Sequence, residues 1–324
     1  MSNTTEWVVT YGALGAALVA AVAAGIWWRL KGAGHQGKPQ VERREVKGRN
    51  EVEEVIRLYL APEAEESALP SMRDYTAVPM RGHNLLPAYI NGRYCEIFVD
   101  CGTSSAIVKY QRAKRLGLLS QVKRFKLIQV RMWTRWTVAK MLVVEKVAVE
   151  LAGGVSFPCT FLVAPREGPI NHLKHDIFLD NATLRRTRVM QSFSPSTATL
   201  FFPKAMPEWQ PRTSPDSQYV LDNARFKDCA KYAKLKVLLD TGAQVFYASR
   251  QYHRPQRSIE VVVARDSLLY WRSLMAVPSS TFDFVMGVSP LAKYSSLLDY
   301  DNQYLYLCID GRVYRARLRR TSTL

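Results

Sequence analysis

Two aspartates sit where this chain could do chemistry. Asp100 ends the run Glu96-Ile97-Phe98-Val99 and opens Asp100-Cys101-Gly102-Thr103. Asp240 ends Lys236-Val237-Leu238-Leu239 and opens Asp240-Thr241-Gly242-Ala243. In each, an apolar strand delivers a carboxylate into a turn that glycine permits, so the acid is held rigidly and stays accessible. A single Asp-x-Gly turn is common on surfaces. Two copies, at positions 100 and 240 and each after an apolar run, point to a duplicated device. Two carboxylates about 3 Å apart cannot both ionise cheaply, and they retain one proton between them. The ionised member activates water as general base; the protonated member polarises a carbonyl and later protonates the leaving amine. The pair titrates as a unit, so the sequence assigns neither role. This chemistry requires no metal and no organic cofactor.

The elements that must hold such turns are short β-runs. Residues 88–90, 94–99, 127–132, 141–151 and 157–163 are rich in Val, Ile, Leu, Phe and Tyr, as are 235–239, 259–264, 268–277, 303–309 and 312–318. Asn91-Gly92, Gly153-Gly154 and Asp310-Gly311 lie between such runs and predict hairpin turns. One short helix is predicted over 108–116, and another over 51–60. After each aspartate a second apolar segment follows, 176–184 (DIFLDNATL) and 283–291 (DFVMGVSPL), then further strand runs. Residues 204–217 hold three prolines without periodicity and read as a linker.

This order resembles the retropepsin-like aspartic proteases, including the retroviral enzymes and the DNA-damage-inducible ubiquitin-receptor proteases. The stretches YINGRYCEIFVDCGTSSAIV, VLLDTGAQ and DFVMGVSPL carry the resemblance, which covers about 75–202 and 218–318. It implies a mainly β fold of two unequal retropepsin-like lobes packed as an internal pseudo-dimer, where the family usually pairs two identical chains. It implies an aspartic-type endopeptidase acting on polypeptide, with Asp100 and Asp240 catalytic and Cys101, Gly102, Thr103, Thr241, Gly242 and Ala243 supporting them. It also implies a flap hairpin around 130–138, here bearing Trp133 and Trp136. Three residues depart from the family pattern. Cys101 replaces the hydroxyl that cross-links the two turns, which halves that cross-link, because a thiol is a weak donor. Gln244 replaces a supporting Ser, and Asp180 replaces a glycine. A catalytically silent scaffold that binds peptide or a partner at the membrane is the alternative from a different class.

The rest of the chain sets its surroundings. Residues 7–28 carry no charge and have Trp at both ends, long enough to cross a ~30 Å hydrocarbon core. Arg and Lys follow this run and none precedes it. The expected organisation is an outer N-terminus (1–6), a transmembrane helix (7–28), a basic tether (29–74), lobe 1 (75–203), the linker (204–217) and lobe 2 (218–324). The lobes would be cytosolic on a single-pass protein, the tether lying on an anionic membrane surface. The sequon at Asn3 falls on the outer side. With 45 basic against 28 acidic residues the net charge is +17, which suits anionic partners. No nucleic-acid-binding motif accompanies the basic runs, so a solvated basic face is favoured over a nucleic-acid site. Five cysteines without a CxxC pair exclude a disulfide-stapled scaffold and offer no zinc set. His172 and His175 lack a third ligand cluster, and His83 and His253 lack a nucleophile partner. The sequence requires no obligate partner chain.

Overall fold

The computed structural model describes residues 41–45, 52–61, 64–132, 135–208, 217–226, 235–249, 257–263, 267–272, 275–277 and 282–322. Residues 7–28, the Asn3 sequon, Trp133, Cys229 and His253 lie outside these, as does most of the 204–217 linker; the Trp136 side chain is likewise outside the description.

Four strands precede the first lobe: β1 (Val41–Glu45), β2 (Val52–Ala61), β3 (Glu65–Glu66) and β4 (Tyr75–Pro79). Lobe 1 then runs β5 (Leu85–Ile90), β6 (Arg93–Asp100), β7 (Ile107–Val108), α1 (Tyr110–Arg115), β8 (Arg124–Met132), β9 (Arg135–Glu150) and β10 (Ser156–Val163). It ends with β11 (Ile177–Asp180), α2 (Asn181–Arg186), β12 (Met190–Phe193) and β13 (Ala198–Pro203). Lobe 2 runs β14 (Ser217–Phe226), β15 (Leu235–Leu239), β16 (Phe246–Ser249), β17 (Arg257–Val263), β18 (Ser267–Arg272) and β19 (Met275–Val277). It closes with β20 (Phe284–Met286), α3 (Val288–Lys293), β21 (Leu297–Asp299), β22 (Tyr304–Ile309) and β23 (Arg312–Ser322).

The same arrangement occurs twice. In lobe 1, β11 runs parallel to β6 with Asp180 opposite Asp100, and pairs antiparallel with β7, which runs parallel to β10. In lobe 2, β20 runs parallel to β15 with Met286 opposite Leu239, and pairs antiparallel with β16, which runs parallel to β19. Alternation drives β6 into place: Cys95, Ile97 and Val99 face the core while Tyr94, Glu96 and Phe98 lie on the opposite face. β15 is apolar on both faces, Val237 and Leu239 in the main core and Leu238 in a smaller cluster with Ala243 and Val285. The Asn91-Gly92 turn has φ of 51° and 69° and the Asp310-Gly311 turn 49° and 77°, the two left-handed residues that a two-residue hairpin needs.

The lobes meet in a shared antiparallel sheet. Its order is β4, β13, β12, β21, β22, β23, with Gln191 of β12 opposite Leu298 of β21 at its centre. The chain's last two strands are therefore structural parts of the junction. One apolar core runs through both lobes, from Ile97 and Leu179 to Leu239 and Leu305.

Three expectations are corrected. No helix among the described residues is long and apolar enough to cross a membrane. The α-helices described are six residues each, roughly 9 Å at 1.5 Å per residue against a core of ~30 Å. The described fold is thus mainly β with no spanning helix, and it supports neither the N-terminal transmembrane helix nor the single-pass placement; residues 7–28 themselves lie outside the described residues. The segment 51–60 is not a helix but strand β2, paired with β1 and β14 and parallel to β17 from Glu54↔Arg257 to Ala61↔Val263. Its Val, Ile and Tyr favour a strand once partner edges are available, and long-range pairing overrides the short helical period. Asp180 does not weaken its turn. It caps α2, its Oδ1 accepting from the Thr183 N–H at 3.1 Å, where Gly287 opens α3 without a side-chain cap.

A cap of this kind has a measurable signature. Asp180→Ala should lower stability by about 1 kcal/mol, and Asp180→Gly by only a few tenths. Urea unfolding of the two variants checks this; equal losses would mean that Asp180 contributes something other than its cap.

Candidate active site

Asp100 and Asp240 come together at the lobe junction. Their carboxyl groups are close enough to interact electrostatically, each lying against the glycine of the other lobe's turn. Each keeps some solvent-accessible surface, yet both are closely surrounded by protein. The glycines explain the approach. A Cβ on Gly102 would lie 2.5 Å from the Asp240 carboxyl carbon, and one on Gly242 would lie 2.6 Å from that of Asp100. Real Cβ atoms do not tolerate such contacts, so each lobe's glycine clears space for the other lobe's acid.

The two turns bind each carboxylate differently. Asp100 Oδ1 accepts from the Gly102 and Thr103 N–H groups at 2.9 and 3.1 Å, and Oδ2 accepts from the Thr103 hydroxyl at 2.9 Å. Asp240 Oδ1 accepts from the Gly242 N–H at 2.9 Å and is also supported by the Ala243 amide. Ala243 has no hydroxyl to match Thr103. Burial raises the pKa of both acids above the ordinary carboxylate range. For Asp100 the neighbouring Asp240 carboxyl and the hydrogen bonds from Thr103 and Gly102 pull back against burial. For Asp240 the neighbouring Asp100 charge raises it further, and it stands well above the ordinary value. Burial and mutual proximity thus favour one proton retained between the two carboxyls, which titrate as a unit.

A four-bond cross-link holds the turns together beneath the acids. The Cys101 N–H donates to Thr241 Oγ1 at 2.9 Å, and the Thr241 N–H donates to Cys101 Sγ at 3.2 Å. Each side chain then donates to a backbone carbonyl of the opposite lobe: Thr241 Oγ1 to Val99 at 3.2 Å and Cys101 Sγ to Leu239 at 3.3 Å. The thiol thus fills both hydroxyl roles, with weaker bonds, rather than leaving half the cross-link unmade. Burial pushes its pKa up to about 12, so it remains a thiol and keeps its proton to donate.

Sequence reasoning missed two flanking amides. Gln218, on β14, donates from Nε2 to the Gly102 carbonyl at 2.5 Å, and Asn84, just before β5, donates from Nδ2 to the Thr241 carbonyl. Each reaches from its own lobe to the turn of the other. Neither has a spacing that marks it in the sequence, since the contact exists only once the lobes pack. Tyr247 of β16 lies near Asp240 and, with Phe282, packs on the Leu238–Ala243–Val285 cluster. Gln244 points outward, its amide 3.5 Å from Ser289 Oγ. On the lobe 1 side, the hairpin expected as a flap is β8–β9, paired from Arg124↔Val143 to Met132↔Arg135. The histidine loop is built otherwise than as a metal site: His175 stacks on Phe98 with centroids 4.2 Å apart, and Asp176 pairs with Lys109 and Arg115. Among the described residues, no group of three His, Cys, Asp or Glu side chains is placed to hold a metal ion.

Since a hydroxyl bonds more strongly than a thiol, the two halves of the cross-link should differ in strength. Thr241→Ala should lose about 2 kcal/mol of stability and Cys101→Ala about half as much. Chemical unfolding at pH 5 measures both; a larger loss in Cys101→Ala would mean that the sulfur contacts are the stronger ones.

No family model and no curated protein sequence matches the chain. Solved structures do. The retroviral protease-like domain of Ddi1 from Leishmania major matches at 21% identity and a TM-score of 0.25, over 33% of this chain and 76% of that one. A retropepsin-like aspartic protease from Rickettsia conorii matches at 18% identity and a TM-score of 0.28, over 43% of this chain and 94% of that one. These values are too low to carry an activity from those proteins to this one. The chain is similar to retropepsin-like domains of solved structure.

Proposed function

We propose that this chain is an aspartic endopeptidase that assembles its catalytic pair within one polypeptide. The observation that carries the reading is the approach of Asp100 and Asp240, which stand far apart in sequence yet each lie against the glycine of the other lobe's turn, in two lobes of matching topology. A buried, proton-sharing carboxyl pair has a poor structural rationale, because like charges in a low-dielectric site cost stability. It has a good chemical one.

The roles follow from the hydrogen bonds. Asp100, with the Thr103 hydroxyl and two backbone amides on its oxygens, is the carboxylate. It takes a proton from water as the water oxygen attacks the scissile carbonyl carbon. Asp240 gives its proton to the carbonyl oxygen, forming a tetrahedral gem-diol. Collapse of that intermediate breaks the C–N bond as Asp100 gives its proton to the amine nitrogen and Asp240 takes back a proton from a gem-diol hydroxyl, which returns the pair to its singly protonated state. Cys101, Gly102, Thr103, Thr241, Gly242 and Ala243 hold the geometry, and a polypeptide is the substrate.

The purified chain should cleave unstructured polypeptide in mild acid, and a transition-state inhibitor of aspartic proteases should block it. Asp100→Asn and Asp240→Asn should each lower kcat by at least about 10³-fold with the fold intact by circular dichroism. Activity that survives both substitutions sinks the dyad; a folded wild type without any cleavage favours the silent scaffold.

The missing hydroxyl at position 243 sets a second expectation. In Ala243→Thr, a hydroxyl donating to Asp240 stabilises its charged form, as Thr103 does for Asp100. The pKa of the protonated member falls, so the alkaline limb of the pH–rate profile should move to lower pH. A limb that stays put or moves upward would place the shared proton elsewhere.

A further inference from the structure

Two carboxamides cross the lobe boundary, and the carbonyls on which they land have something in common. Gln218 Nε2 donates to the Gly102 carbonyl at 2.5 Å, and Asn84 Nδ2 donates to the Thr241 carbonyl. The Gly102 carbonyl belongs to the same peptide unit as the Thr103 N–H, which donates to Asp100 Oδ1 at 3.1 Å. The Thr241 carbonyl belongs to the same peptide unit as the Gly242 N–H, which donates to Asp240 Oδ1 at 2.9 Å. In a planar trans peptide the C=O and N–H point in opposite directions. Each carboxamide therefore holds one end of a peptide whose other end holds an acid. A hydrogen bond to the carbonyl also polarises the N–H of the same unit and strengthens its bond to a carboxylate.

Both carboxamides are firmly mounted. Asn84 is buried, and its backbone carbonyl accepts the Val99 N–H at 2.8 Å, on the strand that delivers Asp100. One residue thus joins the strand of one acid to the turn of the other. Its neighbour His83 is fixed twice: its carbonyl accepts from Gln191 Nε2 at 3.3 Å, and its ring Nε2 lies 2.9 Å from the Ser194 carbonyl. Gln191 stands in the shared sheet and accepts the Tyr300 hydroxyl at 2.8 Å. Gln218 is half-buried on β14, opposite Thr321 of β23. A carbonyl only accepts, so both sites need a side-chain donor.

We propose that Asn84 and Gln218 are positioning residues for the dyad, each setting the peptide plane through which the opposite lobe's turn donates to its acid. For its catalytic consequence this rests on the aspartic-protease reading. Loss of either donor weakens an N–H bond to a carboxylate and disfavours the charged form of that acid. The other titratable side chains set against the pair, the Cys101 thiol and the Tyr247 phenol, are both held above their ordinary values and uncharged in mild acid.

The test compares the full chain as wild type, Asn84→Leu and Gln218→Met, apolar side chains of similar size, on a peptide that the wild type cleaves. Each variant should lower kcat about 10-fold with KM changed less than about 2-fold. At least one limb of each variant's pH–rate profile should also move to higher pH, by about half a unit, since the pair titrates as a unit. An unchanged kcat overturns the proposal. So does a kcat loss with both limbs in place, which would mean that the amides only support the fold. Thermal unfolding gives a readout independent of cleavage. The native chain already holds the dyad's protons more tightly than the unfolded chain, and each variant tightens that hold. The midpoint deficit of each variant against wild type should therefore grow from about pH 4 to about pH 7. A deficit equal at both pH values overturns the proposal. If the folded wild type cleaves nothing, the protease reading is what fails, and these midpoints alone decide the role of the carboxamides. If Asn84→Leu does not fold, because a buried carbonyl is left bare, Gln218→Met decides by the same readouts, its site being half-exposed to water.

Discussion

Everything at this site depends on two backbone turns being fastened to one another across a lobe boundary. The bonds between Cys101 and Thr241 are few, buried and reciprocal, and they join loops from separate sheets. Without them the two acids would separate, since nothing else favours like-charged groups at contact distance. With them, each acid is positioned by its own strand and cleared by the other lobe's glycine. The shared sheet has the same purpose on a larger scale: β12 and β21 fix the lobes, and the cross-link fixes the turns within them. Gln218 and Asn84 add two further ties at the rim.

A single chain can make its two halves different, and this one does so where it matters chemically. Thr103 faces Ala243, so one acid gains a hydroxyl donor and the other does not. Cys101 stands where lobe 2 has Thr241, and Asp180 where it has Gly287. An assembly of two identical chains has none of these options, because every residue would appear on both sides. The differences bear on one property, which acid holds the proton and how firmly its turn is held. Proton placement in a symmetric pair is degenerate; here the two acids have different hydrogen-bond donors.

The legible parts of the molecule were those written in local chemistry. An apolar alternating strand running into Asp-x-Gly can be read at Asp100 and at Asp240, and the Asn91-Gly92 and Asp310-Gly311 turns name their own hairpins. Long-range features were less legible. The pattern of 51–60 suits a helix as well as a strand, and only the edges of β14 and β17 decide it. The charge-free run 7–28 has the length of a span, yet the described fold offers no spanning helix. Cys101 read as a half-lost cross-link because donor strength can be judged from residue type, while the distance from sulfur to the Leu239 carbonyl cannot. Asp180 read as a lost glycine because its use as a cap needs the orientation of α2. Asn84 and Gln218 gave no signal at all, since their partners lie more than a hundred residues away.

The dyad also works against the fold that holds it, in a direction that its pKa shifts define. Both acids have native pKa values above those of free aspartate, chiefly through burial. Between the unfolded value, about 3.9, and the raised native value, the native state holds more protons than the unfolded chain. Stability then falls as pH rises through that window, because the slope follows the protons bound in the unfolded state minus those bound in the native state. Below the unfolded value the pair is fully protonated in both states and costs nothing electrostatically. Above it, the cross-link, the shared sheet and the core must offset the penalty of a buried carboxylate beside a second acid.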